Sequence, residues 1–227
     1  MTLFIKEINK EFQKHSNLLE ILSILKNEES YIAGGFIRNL LLNKPIKDID
    51  IFINKPLNDF LDIINKKTLI ENLNFGPFGS PRYYLPSQTF YIDFIPFEKF
   101  IVNNNKYNNI EELMSDFDMS INAIAYDINK NIIIDKYNGI EDIKNKKIKS
   151  LHFNFKDFNI IYLNSKISSI SIHWFRLLHY QNTLNFKFEK DTLEWINTNK
   201  ERYKDINIFT ELFFKPNLDK KLLKKIL

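Results

Sequence analysis

Apolar positions along this chain follow two regimes, mixed helix and strand signals up to about residue 150 and mainly helical ones after it. Leu18, Leu19, Ile21, Leu22 and Leu25 recur at helical spacing and predict an amphipathic helix within residues 3–26. Short runs then predict a strand over 31–33, a helix over 36–43, a strand over 48–53 and a helix over 56–64. Gly76-Pro77-Phe78-Gly79-Ser80-Pro81 is a turn cluster, and the runs at 82–85 and 89–94 behind it predict a hairpin. Residues 103–109 read as a polar loop, 110–115 as a short helix, and 121–128 with 131–135 as two strands around an Asp-Ile-Asn-Lys-Asn turn. Asn138-Gly139 ends that pattern, and 140–147 predict an exposed, lysine-rich helix. Beyond it the clearer segments are helical, at 171–180, 190–197 and 218–227. The order predicts an α/β (α+β) domain over 1–150 and a small helical domain over 151–227. The boundary near Ser150 has no Gly/Ser linker, and no internal repeat occurs.

Composition narrows the function classes. With 44% apolar residues among 227, the chain can bury a sizeable core. The absence of cysteine excludes disulfides and thiolate chemistry, and four scattered histidines argue against a zinc site. No apolar stretch is long enough for a membrane span and the first residues lack a leader pattern, so a cytoplasmic protein is expected. The net charge of +4 is matched by residues 215–227 alone, where Lys215, Lys220, Lys221, Lys224 and Lys225 face one Asp219. Affinity for a polyanion should therefore rest on that tail or on a local patch. Leu218, Leu222, Leu223 and Ile226 interleave with these lysines, as in an amphipathic helix that docks, dimerises or meets a partner subunit, or that turns its lysines to RNA. Lysine serves as the generic cation here. The four arginines, Arg38, Arg82, Arg176 and Arg202, are candidates for places that need a forked donor.

The chemistry concentrates in residues 31–53. Asp48 and Asp50 stand one residue apart on a predicted strand, so their carboxylates leave one face about 7 Å apart, as a metal clamp requires. Upstream, Gly34-Gly35 lets the backbone approach a phosphate, and the helix that follows aims its N-terminus at an anion. Phosphate beside metal implies nucleotide chemistry. Two-metal transfer calls for a further carboxylate on a neighbouring strand, and Asp93 sits in such a run.

These residues resemble the head domain of class II CCA-adding tRNA nucleotidyltransferases and bacterial poly(A) polymerases, of the polymerase β-like superfamily. Gly34-Gly35-Phe36-Ile37-Arg38-Asn39-Leu40-Leu41 with Asp48-Ile49-Asp50 is similar to the opening motif, Gly-Gly-x-Val-Arg-Asp-x-Leu-Leu and then Asp-x-Asp. Asp116-Phe117-Asp118-Met119-Ser120-Ile121-Asn122-Ala123-Ile124-Ala125-Tyr126 resembles the second signature without its two arginines. Asp135 to Gly139 and Asp142 resemble the closing segment, and Arg176-Leu177-Leu178-His179-Tyr180 a neck motif. The resemblance spans roughly residues 28–198. It implies a mixed β-sheet flanked by helices, followed by a helical neck, and a chain lacking that family's body and tail domains. It further implies metal-dependent, template-independent transfer of a nucleoside monophosphate from an NTP to the 3′ hydroxyl of RNA, with tRNA as first candidate. Two Mg²⁺ ions would be held by Asp48, Asp50 and Asp93, which form the catalytic set. Gly34, Gly35, Arg38, Asp118, Asn122 and Arg176 would bind the nucleotide.

Alternatives stand beside each reading. Asp118 and Asn122 also suit a helix cap or a turn, Arg38 an ion pair with Asp48 or Asp50, and Arg176 an ion pair within the neck. Tyr83, Tyr84, Phe90 and Tyr91 read as core, with one or two as base-stacking candidates. The base-selecting pair of the family falls on Ile170 and His173, beside Ser169, where the base-edge hydrogen bonds are lost. This leaves base preference open, and it motivates a second reading with a protein or small-molecule acceptor. The arginine-poor second signature motivates a third, a binding module without turnover.

Overall fold

The computed structural model describes residues 2–14, 16–65, 73–76, 79–84, 91–100, 106–154, 156–162 and 165–227. The chain divides into two compact units, Met1–Asp116 with Asn122–Ile140, and Phe117–Ile121 with Glu141–Leu227.

The first unit runs α1 (Thr2–Gln13), α2 (Ser16–Ile24), β1 (Ser30–Ala33), α3 (Gly35–Leu41), β2 (Asp48–Ile53) and α4 (Leu57–Asn65). It continues with β3 (Leu73–Phe75), β4 (Pro81–Tyr84), β5 (Tyr91–Pro96), α5 (Ile110–Met114), β6 (Ala125–Asp127) and β7 (Ile132–Ile134). These seven strands form one sheet in the order β3-β4-β5-β2-β1-β6-β7. The β2–β5 pair is parallel and the others are antiparallel, giving the mixed sheet expected from the sequence.

Alternation along β2 and β5 divides the faces. Ile49, Ile51 and Ile53 pair in register with Ile92, Phe94 and Pro96, and all six are buried. Phe60 of α4 packs on Phe94 with ring centroids 5.0 Å apart. Phe12 of α1 meets Phe36 of α3 at 5.9 Å and Tyr126 of β6 at 5.8 Å. Alternate residues of the same two strands, Asp48, Asp50, Tyr91 and Asp93, share the opposite face and are only half-buried.

Three local differences have physical causes. The helix expected over 3–26 is two helices, and Leu18, Ile21 and Leu25 are buried while Leu19 stays exposed. The strand expected over 121–128 starts only at Ala125, because Asn122 turns aside and its carbonyl accepts the Gly34 N–H at 3.1 Å. The Gly76 turn connects β3 to β4, with the Gly76 N–H donating to the Ser80 carbonyl at 2.8 Å; β3 carries too few apolar positions to have been expected. Residues 85–90, between β4 and β5, lie outside the described residues, Phe90 among them, as do 103–105 of the expected polar loop.

Between and beyond these strands, α6 (Gly139–Lys144) starts where the Asp135 carboxylate accepts the N–H groups of Gly139, at 2.6 Å, and Ile140, at 3.0 Å. The second unit holds β8 (Lys147–Ile148), β9 (Asn159–Tyr162), β10 (Ser165–Ser168), α7 (Ser169–Leu184) and β11 (Lys187–Phe188), then α8 (Lys190–Thr198), α9 (Ile206–Leu212) and α10 (Lys220–Ile226). The β9–β10 hairpin was not evident from the sequence, since Ile167 is buried and Ile161 is exposed, leaving no consistent apolar alternation. Asp157 holds the start of α7, accepting from the Ser168 hydroxyl at 2.7 Å and the Ser169 hydroxyl at 3.1 Å. Asn185 ends the helix in the left-handed conformation at φ 55°. Trp174, Phe175, Leu177 and Leu178 of α7 are buried, with Phe175 on Phe209 at 4.8 Å. In α10 only Ile226 is buried, and Lys220, Lys221, Lys224 and Lys225 are exposed. Among the described residues no helix is long and apolar enough to cross a membrane.

Candidate active site

Asp50 and Asp93 are register partners in the parallel β2–β5 pair, and Asp48 partners Tyr91. One strand further, Arg82 partners Asp93 and Tyr84 partners Tyr91. Register partners project from one face, so two cross-strand rows form: Asp50, Asp93, Arg82 and Asn74, and beside them Asp48, Tyr91 and Tyr84.

The rows are bonded internally. Arg82 donates from Nε to Asp93 Oδ1 at 2.6 Å and from Nη2 to Asp93 Oδ2 at 2.7 Å, a two-point grip on both carboxylate oxygens. Its guanidinium carbon stands 3.8 Å from the centre of the Tyr91 ring, and the Tyr91 hydroxyl reaches Asp48 Oδ2 at 3.5 Å. Burial pushes the Asp48 carboxyl above the ordinary carboxylate range and the negative charge of Asp93 adds to this, while Arg38, the Tyr91 hydroxyl and Arg82 pull the other way. Burial, followed by the Asp48 charge, likewise raises the Tyr91 phenol.

Gly34 closes β1 beside these carboxylates. Its φ of 81° and ψ of −139° suit glycine, and a Cβ there would stand 3.1 Å from Asp50 Oδ2. Gly34→Ala is expected to cost about 1–3 kcal/mol through backbone strain and to displace the Asp50 carboxylate. Urea denaturation reads the first effect, and weakened Mn²⁺ binding reads the second.

Arg38, one turn into α3, is 5% exposed. It donates from Nη1 to Asn122 Oδ1 at 2.5 Å, and from Nε and Nη2 to Asn39 Oδ1 at 3.1 and 2.9 Å. Asn39 also donates from Nδ2 to the Pro45 carbonyl at 3.0 Å, a bond that a carboxylate could not make. Asn122 thus braces the turn twice, through its side chain to Arg38 and through its carbonyl to Gly34. Nothing in the sequence pattern signalled the role of Asn39.

Of the expected site residues, Gly34, Gly35, Arg38, Asp48, Asp50, Asp93 and Asn122 lie in the first unit. Asp118 and Arg176 lie in the second, where Arg176 Nε donates to Asp118 Oδ2 at 2.7 Å. Of the base-selecting positions, His173 is buried, with its Nε2 2.8 Å from the Ser150 hydroxyl and its ring edge-on to Trp195 at 4.9 Å. Burial, reinforced by His152 and Arg176 against the opposing charge of Asp118, holds its pKa down at about 3. His173 therefore packs as a neutral imidazole.

This has a pH consequence. The folded imidazole titrates far below its unfolded value near 6.5, so its stabilising contribution is complete above pH 6.5 and is lost as pH falls toward about 3. Between those limits the stability difference between the protein and its His173→Gln variant should shrink by up to about 1.4 kcal/mol per pH unit. Urea titrations at successive pH values check the slope.

The donor set tests the fit of a divalent cation. Asp48 and Asp50 offer two carboxylates from one strand face, and burial, with the charge of Asp93 added, raises the Asp48 pKa. Yet among the described residues no group of three or more His, Asp or Glu side chains is gathered to hold a metal. Arg82 occupies both oxygens of Asp93. The pair fits a cation; the trio is not assembled.

Known proteins resemble this chain. The CCA-adding enzyme of Streptococcus uberis is 24% identical over 226 residues, covering 93% of this chain and 52% of that protein. A solved CCA-adding enzyme in complex with ATP superposes with a TM-score of 0.67 at 19% identity, over 96% of this chain and 52% of the other. The Thermotoga maritima CCA-adding enzyme complexed with tRNA gives 0.60 at 23% identity, over 80% and 41%. The chain spans about half the length of the curated relatives it matches. The solved structures establish the shared fold, a mixed sheet flanked by helices. The match that reaches the carboxylates runs over residues 30–149, more than half the chain, and contains Gly34-Gly35, Asp48, Asp50, Asp93 and Asn122. By that match the chain belongs to the poly A polymerase head-domain family.

Proposed function

We propose that this chain carries a nucleotidyltransferase head, Met1 to about Ser150, and a neck, and that it moves a nucleoside monophosphate from an NTP to the 3′ hydroxyl of tRNA in the cytoplasm. The observation that carries this reading is the register of Asp50 with Asp93, with Asp48 on the same sheet face, beside the glycine turn at Gly34. The relatives named above are CCA-adding enzymes, one of them solved with tRNA and another with ATP.

In the reaction the acceptor 3′ oxygen forms a bond to the α-phosphorus, the bond to the bridging oxygen breaks, and pyrophosphate leaves. Asp48 and Asp50 would hold Mg²⁺, which supplies Lewis-acid polarisation of the phosphoryl oxygens and lowers the pKa of the attacking hydroxyl; two ions are expected. The Gly34 turn gives the phosphates close access to backbone. Arg38 sets the floor of that turn through Asn39 and Asn122, and its charge also lowers the pKa of Asp48. Asp93 would help to activate the acceptor hydroxyl. Arg176 and Asp118 pair with each other within the second unit.

Transfer to a protein or small-molecule acceptor is the second reading. It is favoured by His173, which is buried against Ser150 and so cannot read a base edge as the family's arginine would. The test is incorporation of each α-labelled NTP, with Mg²⁺, into tRNA lacking its 3′ CCA, with protein and small-molecule acceptors in parallel. Incorporation into tRNA that vanishes in the Asp48→Ala/Asp50→Ala variant supports the first reading. Labelling of another acceptor alone supports the second, and no labelling by any NTP indicates a binding module without turnover.

A further inference from the structure

Arg82 is built into its position from three sides. Asp93 takes two of its N–H groups, the Tyr91 ring lies 3.8 Å under the guanidinium, and the backbone of Gly76 lies beside its Nη2. The side chains of Arg82 and Asp93 are only 18% and 16% exposed, so solvent screens their attraction less than at an open surface. The fork matches both carboxylate oxygens, which leaves Asp93 poorly placed to turn one of them toward a cation. Asp48, two residues from the partner of Asp93, meets the hydroxyl of Tyr91, whose ring lies under the same guanidinium.

We propose that Arg82 is a positioning residue that withholds Asp93 from the divalent cation held by Asp48 and Asp50, acting as the resident counter-ion of the third carboxylate. This rests on the cation-binding reading of Asp48 and Asp50. The site as described is a two-carboxylate site, and a third ligand becomes available only when Arg82 moves off Asp93. Cation binding and the Arg82–Asp93 pair therefore compete for one carboxylate, and by linkage whatever draws Arg82 away tightens the cation. An anionic triphosphate is the chemical class able to do so, because it offers the same fork an alternative set of oxygens.

The test uses Mn²⁺ alone as the probe, with affinity read by titration calorimetry and by loss of the free-ion electron paramagnetic resonance signal. The protein is expected to bind Mn²⁺ weakly, and Asp48→Asn to abolish that binding. Arg82→Gln is expected to tighten it by about tenfold, the scale of adding one carboxylate ligand at partial screening. Arg82→Lys, which keeps the charge and loses the fork, is expected to fall between them and serves where Arg82→Gln does not fold. In an Asp93→Asn background the Arg82→Gln gain should disappear. Unchanged or weaker Mn²⁺ binding in both Arg82 variants overturns the proposal, as does a gain that persists without the Asp93 charge. Mn²⁺ binding that ignores Asp48→Asn overturns the cation-binding reading itself, and the proposal with it.

Discussion

Asp50→Asn is expected to lower nucleotide incorporation by about a thousandfold while leaving the fold intact, because cation polarisation is worth several kcal/mol and each 1.4 kcal/mol is a factor of ten. Asparagine has the shape of aspartate and keeps the β2 pairings to β1 and β5, so the sheet has no reason to unfold. What changes is one unit of negative charge beside Asp48 and Asp93. Asp93→Asn should cost less, on the order of tenfold to a hundredfold, since Asp93 already spends both oxygens on Arg82. Turnover at saturating NTP, compared across the two variants with matched circular dichroism, checks the ranking. Equal losses would mean that Asp93 ligates the cation as fully as Asp50 does.

The ranking shows which parts of the site were legible in the chain. Asp48 and Asp50 were visible because strand periodicity is fixed: residues two apart share a face whatever surrounds them. Asp93 was visible for the same reason on β5, and its register with Asp50 bears out the expectation that the two strands adjoin. The turn at Gly34 was legible because a left-handed backbone leaves a glycine in the sequence. Partnership was not legible. The hairpin of β4 and β5 was expected, but the register that sets Arg82 opposite Asp93 was not, since the run pattern fixes no register. Asn39 differs by one atom from the residue expected of the family, yet its amide joins Arg38 to the Pro45 carbonyl.

In the second unit the limits have a different origin. The amphipathic stripe of α7 announced the helix, but its termini depend on partners far along the chain. Asp157 holds the start of α7 from eleven residues before Ser168, across the β9–β10 hairpin. His173, at the family's base-selecting position, reads from the sequence as a packing residue whose neighbours are unknown. Ser150 and Trp195 settle its place, since both come from outside α7 and enclose the ring. A buried neutral imidazole is a poor replacement for a guanidinium fork, so any base selectivity must come from other side chains.

Trp174→Ala is expected to destabilise the second unit by about 3–5 kcal/mol, the range for emptying a large buried aromatic site. Trp174 has 0% exposure and packs edge-on to Phe175 with ring centroids 5.0 Å apart. Its indole Nε1 donates to the Ile196 carbonyl at 3.0 Å, tying α7 to α8. Truncation leaves a cavity and strips that carbonyl of its partner, and the two costs add. Trp174→Phe separates them, since it restores much of the volume without the donor and should recover more than half of the loss. Trp195, the other of the two tryptophans, remains as a fluorescent reporter within the same unit, its own Nε1 donating to the Phe153 carbonyl at 3.1 Å. Urea unfolding followed by Trp195 emission should shift to a lower midpoint with an unchanged slope. A midpoint that stays put would mean that the α7–α8 contact carries little of the unit's stability. Arg176 shares α7 with Trp174, so the same variant should also loosen the Arg176–Asp118 pair.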